Sequence, residues 1–331
     1  MMFTSNSSSI IHPSGFYIVA FENFSYIEIY YIILAFVYLL TVIFNTFLIV
    51  IVIINPCLHT PKFLVVVNLA IVDVILSTSI IPSMIKVFLL KDNFISYNLC
   101  MVQMYVYYSF IAMESYILAI LSYDRFIAIC FPLRQATINT MKAMFCITAC
   151  TWGFNLGRLM YSVTIMKRLS FCNSVKVLSY FCDYAPVFRL ACNDNSLHWS
   201  MASTSSMLNL ILPLSFIIVT YIVILLIVFR MKTVGSRLKA LGTCIEHLIL
   251  VAVFFVPILI IFVFGLYIRL IDADQRVLTL SMASCFPPCI NPIVYSLKTK
   301  EIKTRWLALV RKLKVKTQVQ TNEKTTQTGY T

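Results

Sequence analysis

Seven long apolar runs constrain this chain more than any other feature. A helix needs about 20 mostly apolar residues to cross the hydrocarbon core of a bilayer. The runs at 27–54, 62–88, 97–130, 143–165, 197–230, 237–267 and 275–297 each reach that length. Several exceed it, which predicts tilt or helix continuing beyond the bilayer. Backbone groups in lipid must pair within their own segment, which single runs of this kind achieve as helices. Of the 331 residues, 12% are charged, about half the share of a soluble domain. The reading is an all-α membrane protein, a seven-transmembrane helix bundle over 27–297. An N-terminal segment, 1–26, and a cytoplasmic segment, 298–331, flank it. The first run is too long for a cleaved signal peptide, and no basic segment precedes it.

An odd number of spans puts the two termini on opposite sides. With the N-terminus outside, the inner ends hold Lys62, Arg125, Arg134, Lys142, Arg230, Lys232, Arg237, Lys239 and the tail from Lys298 onward. That is 17 of the 26 Lys and Arg, the bias that cytoplasmic loops carry. It accounts for the net charge of +13 without a nucleic-acid partner, which would call for a basic face on a soluble fold. The glycosylation sequons at Asn6 and Asn23 precede the first span, on the outer side.

The connections are short except for 166–196, which holds Cys172, Cys182 and Cys192. Cys100 opens the third span on the same side. Four cysteines facing an oxidising compartment suggest two disulfides, and the residues alone leave three pairings open. The other seven cysteines read as small apolar side chains.

In LSYDRFIAICFPL (121–133), Asp124 and Arg125 stand side by side between apolar stretches. Cys100 to Arg125 is 25 residues, about 37 Å of helix. Cys100 therefore lies at one membrane surface and the pair at the other, where Arg125 can pair with Asp124, snorkel or meet a cytosolic partner. Asp73 and Glu114 fall deep inside spans, where ionisable residues are rare and functional by default. Glu114 is 11 residues before Arg125, close to three turns, so the two share a face. Enzyme chemistry finds no support: the chain has no Gly-rich phosphate loop, HExxH or GxSxG motif. The four histidines, 12, 59, 198 and 247, lack metal-ligand spacing. The two halves show no internal repeat of the transporter kind. The segment 299–312 (TKEIKTRWLALVRK) is amphipathic, with Trp306, Leu307 and Leu309 for lipid and Lys303, Arg305, Arg311 and Lys312 for acidic headgroups.

Several stretches, in order along the chain, resemble one family. LSYDRFIAICFPLR (121–134) is similar to the MAYDRYVAICxPLR signature of odorant receptors. NPIVYSLKTKEIK (291–303) resembles their NPxIYSLRNKEVK, KALGTCIEHL (239–248) their KAxSTCxSHL, and LHTPKFLVVVNLAIVD (58–73) their LHxPMYxFLxNLSxxD. The three loop cysteines, with FCD at 181–183, match too. The chain thus resembles the odorant (olfactory) receptors, a family of rhodopsin-like (class A) G-protein-coupled receptors. That implies a rhodopsin-like bundle with a short amphipathic eighth helix, placed in the plasma membrane with the N-terminus extracellular and the C-terminus cytoplasmic. The partners implied are a small odorant, an olfactory-type stimulatory heterotrimeric G protein that raises cyclic AMP, and the lipid bilayer.

By the same resemblance, Asp124, Arg125, Tyr221, Asn291, Pro292 and Tyr295 serve activation and coupling. The ligand pocket is expected at Tyr107, Tyr108, Ile111 and Ala112, at Ser205 and Asn209, and at Phe255, Ile258, Leu259 and Phe262. Amine receptors of the superfamily place an Asp where Tyr107 stands, which points away from a biogenic amine. Arg158 in span four or Arg189 in the long loop could meet a carboxylate or sulfate; snorkelling and loop solvation are their simpler roles. The pairings carried over are Cys100–Cys182 and Cys172–Cys192. Asp73, Glu114 and Asn291 come together by family position. Two carboxylates so placed share a proton or bind a cation, giving either a sodium-like site or a protonated polar core. No cofactor beyond that sodium ion is expected. The alternatives are a non-olfactory rhodopsin-like chemosensory or orphan receptor and, more distantly, a membrane transporter.

Overall fold

A computed structural model of the chain describes residues 12–21, 26–263 and 273–298. Asn6, Asn23 and the amphipathic stretch 299–312 lie outside the described residues.

Seven long helices run side by side: α1 (Ile27–Ile54), α2 (Pro61–Leu90), α3 (Tyr97–Cys130), α4 (Met141–Met166), α5 (Ser196–Phe229), α6 (Val234–Ile260) and α7 (Ala273–Lys298). Six are long and apolar enough to cross a membrane. The other, α4, has the length at 26 residues but carries Asn155, Arg158 and Ser162 in its second half. Thr60 and Thr140 start α2 and α4 by accepting the backbone N–H of Phe63 and Ala143, the usual work of a hydroxyl N-cap.

Burial is inverted relative to a soluble bundle. On α1 the exposed side includes Ile29, Ile32, Phe36, Leu39 and Ile43, while Thr41 and Asn45 are fully buried. Both sets recur every three or four residues, so each occupies one helical face. An apolar exterior around a polar-bearing interior fits lipid, where apolar surface gains nothing by hiding and helices associate through packing and buried hydrogen bonds. Asn45 illustrates the latter by donating to Pro288 O on α7 at 2.9 Å.

α3 is the central helix and packs against α2, α4, α5 and α6. α5 contains a π turn at Met207–Ile211. Pro213 has no N–H to offer the Asn209 carbonyl four residues back, and Ser115 of α3 supplies that hydrogen bond instead at 2.5 Å. The irregularity thus ties α5 to α3.

One end of the bundle is capped by a small sheet that the apolar runs do not announce. Strand β1 (Gly15–Val19) pairs antiparallel with β2 (Phe94–Ser96) and parallel with β3 (Lys176–Leu178). Phe16, Ile18, Ile95 and Val177 point inward and pack on Met101, Met104, Phe171 and Phe188. A disulfide joins Cys100 at the start of α3 to Cys182 in the long loop, and another joins Cys172 to Cys192 within it. The loop is thereby drawn down over the helix ends, where it forms a short helix at Tyr184–Phe188.

Candidate functional site: cavity, polar core and charged mouth

Beneath the sheet lies a cavity of about 250 Å³. On α3 its wall runs from Met104 to Ser115, which begins about 6 Å below Cys100 and ends about 22 Å below it at 1.5 Å per residue. The cavity therefore occupies the half of the bundle next to the disulfides. α6 and the π turn that continues it over residues 261–263 contribute Phe254, Ile258, Ile261 and Phe262, an i, i+4, i+7, i+8 series on one face.

Of the ten residues expected at a pocket, Tyr107, Tyr108, Ile111, Ala112, Ser205, Asn209, Ile258 and Phe262 line this cavity. Phe255 and Leu259 do not. Successive residues on a helix turn by about 100°, so Phe254 and Ile258 face the cavity while their neighbours face away. Phe255 is buried with Leu118, Ile217 and Leu250, edge-on to Phe254 at 4.9 Å. Phe254 takes the cavity-facing place, and its four-residue spacing to Ile258 was the available signal.

The roof is a polar latch. Asp183, next to Cys182 in the loop, is fully buried. It accepts the Tyr108 hydroxyl at 2.5 Å and forms an ion pair with Arg276 of α7. Tyr180 donates to Ser284 at 3.1 Å, and Tyr107 shares a hydrogen bond with the same hydroxyl at 2.8 Å. Burial holds the phenols of Tyr180 and Tyr184 above their ordinary range, so both remain neutral hydroxyls. The loop is thus fastened to α3 and α7 as well as by its disulfide. Sequence reasoning missed this latch, because a lone Asp after Cys182 and a lone Arg in span seven gave no sign of meeting.

Midway along the bundle, Asp73 and Glu114 are both fully buried. The Asn291 amide donates to Asp73 Oδ1 and Oδ2 and to Glu114 Oε1, each at 3.1 Å. Glu114 Oε2 and Ser77 Oγ are buried without a hydrogen-bond partner. Among the described residues there is no group of three or more His, Cys, Asp or Glu side chains suited to a metal. A cation here would therefore be held by two carboxylates with neutral oxygens, an all-oxygen set that suits a hard ion.

At the far end, Asp124 and Arg125 part company. Among the described residues no ion pair joins them; Asp124 instead accepts the Asn139 amide at 3.0 Å. Adjacent helical residues do not face each other, so the pairing expected from their adjacency does not form. Arg125 lines a small pocket of about 30 Å³ with Lys62, Glu246, His247 and Tyr295. His247 Nε2 is 3.1 Å from Leu118 O, a carbonyl, so it carries the proton. Nδ1 then accepts the Tyr221 hydroxyl at 2.8 Å. His247 thereby joins α3, α5 and α6. Pro292 follows Asn291 inside α7.

A seven-helix bundle with a cavity toward one end and a charged pocket at the other has the architecture of a transmembrane receptor. Residues 34–314 match the olfactory receptor family. Human olfactory receptor 1M1 is 32% identical over 83% of this chain and 87% of its own length. Human olfactory receptor 5B12 is 33% identical over 86% and 90%. Human olfactory receptor 52K1 is 30% identical over 94% and 99%. The chain belongs to the olfactory receptor family.

Proposed function

We propose that the chain is a plasma-membrane receptor that binds a small odorant in the cavity under the sheet and activates an olfactory-type stimulatory G protein, raising cyclic AMP. The sheet end faces outward, with residues 1–26 extracellular, 27–297 forming the receptor domain and 298–331 cytoplasmic. Asn6 and Asn23 carry the glycans, and 299–312 lies on the inner leaflet. The two disulfides hold the outer loop over the ligand.

The observation that carries this reading is the continuity of α6. Phe254 and Ile258 line the cavity, and His247 sits seven residues before Phe254, about 10 Å down the same helix. A ligand that presses on Phe254 displaces α6 where His247 holds α3 and α5 together. This is a two-state element biased from one side and read on the other. With those bonds loosened, Arg125 is free to turn from its small pocket toward the G protein, with Asp124 kept out of its way by Asn139. Tyr221 and Tyr295 support the open arrangement. The Asp73, Glu114 and Asn291 cluster lies between the two ends and holds a proton or a sodium ion that changes with state.

The test is cyclic AMP in cells that display the receptor at the surface, challenged with acidic and neutral odorants beside an Arg125→Ala variant. A ligand-dependent rise that the variant loses supports the reading. A rise that survives intact in the variant overturns the role of Arg125, and silence from surface-displayed receptor across the panel overturns the stimulatory coupling.

A further inference from the structure

Arg158 on α4 is a half-buried cation with no acidic partner among the described residues. It stands eight residues from the Met166 end of α4, about 12 Å along the helix, and turns toward α5. Its guanidinium donates to Ser205 Oγ at 2.6 Å and to Asn209 Oδ1 at 2.7 Å, with a longer contact to Asn155 Oδ1 at 3.4 Å. All three partners are neutral, and Arg158 Nε is buried without a partner. Removing a charge from water without a counter-charge is costly.

These contacts determine what the cavity wall offers. Ser205 and Asn209 both line the cavity. A guanidinium has donors and no acceptor, so it takes the hydroxyl oxygen of Ser205 and fixes the amide of Asn209 with its oxygen turned toward α4. The Tyr116 hydroxyl lies between the Leu208 carbonyl, at 3.1 Å, and the same Asn209 oxygen, at 3.3 Å. Arg158 thus engages both side-chain oxygens of this wall. The Asn209 NH₂ and the Ser205 O–H remain, and neither donates to another group among the described residues. A cation backs them. No Asp or Glu is among the residues lining the cavity, whereas Arg189 and Arg276 are. Asp183 neutralises Arg276 from the roof.

We propose that the cavity selects ligands with an anionic, acceptor-only head group, a carboxylate on an apolar body. The carboxylate accepts from Asn209 Nδ2 and Ser205 Oγ, and the charge of Arg158 behind them completes the pairing. The apolar body lies along Phe254 and Ile258. This rests on the cavity being the ligand site and adds the ligand class. An alcohol offers one oxygen and no charge, and an ammonium meets donors and a cation.

The test reads binding alone, as the thermal unfolding shift of the purified full-length receptor in lipid nanodiscs. The probes are octanoate, octan-1-ol and octylammonium, with hexanoate and decanoate covering length. Octanoate is expected to bind about tenfold more tightly than octanol, the usual worth of a charge-assisted hydrogen bond, and octylammonium least. Arg158→Gln should remove the advantage of octanoate over octanol. Equal binding of octanol and octanoate by the wild type, or no shift with any of the three carboxylates, overturns the proposal. So does an Arg158→Gln variant that keeps the preference. The wild-type comparison stands even if the variant fails to fold. Because no signalling is read, a receptor that binds octanoate selectively yet leaves cyclic AMP unchanged counts against the coupling and not against the ligand class.

Discussion

At the scale of single residues, the central fact is one amide serving three carboxylate oxygens. The Asn291 NH₂ has two hydrogens and lies 3.1 Å from Asp73 Oδ1, Asp73 Oδ2 and Glu114 Oε1, while Glu114 Oε2 has no partner. Two buried carboxylates with so few donors need a proton or a cation between them. If the occupant is sodium, raising sodium at constant ionic strength should weaken agonist potency in the wild type, and Glu114→Gln should flatten that dependence. A wild type indifferent to sodium would leave the shared proton as the answer. The two carboxylates were legible in the sequence because charge deep in an apolar run is conspicuous. Asn139 was not, since a neutral amide in a short connection carries no such signal, and yet it is the group that takes Asp124.

At the scale of elements, helices were easier to read than strands, for a physical reason. A spanning helix satisfies its backbone locally, so 20 apolar residues announce it without knowledge of any neighbour. A strand needs partners, and those of β1 lie far along the chain, at Phe94–Ser96 and Lys176–Leu178. Five residues before the first apolar run could not reveal that pairing. The one local sign was Gly15. A Cβ there would lie 2.2 Å from the Ile95 carbonyl oxygen, so β1 and β2 can approach as they do only with glycine at that place. Gly15→Val should therefore push β1 off β2 and loosen the cap over the cavity. The expected cost is about 1–3 kcal/mol, the range for overpacking a close-fitted site, read as a lower unfolding temperature of the purified receptor. Unfolding at the wild-type temperature would mean that the sheet contributes little to holding the loop.

At the scale of the whole molecule, two unrelated arguments support the proposed direction across the membrane. The end that carries the Cys100–Cys182 and Cys172–Cys192 bridges suits an oxidising compartment, because cytosolic reductants keep thiols reduced. The opposite end gathers Lys62, Arg134, Lys142, Lys232, Arg237 and Lys239 in its connections and helix ends, the excess that marks cytoplasmic loops. On the proposed direction, β1 lies on the outer side with the disulfides, and α7 ends on the inner side with the lysines and arginines. The charge count was legible in the sequence. The disulfide argument was only half legible, since four cysteines on one side implied two bridges but left their partners open. The direction is tested by epitope tags on the two termini of the full chain. The N-terminal tag should stain on intact cells, and the C-terminal tag only after permeabilisation. The reverse pattern would put Arg125 outside the cell, and with it would fall every step that brings this mouth to a G protein.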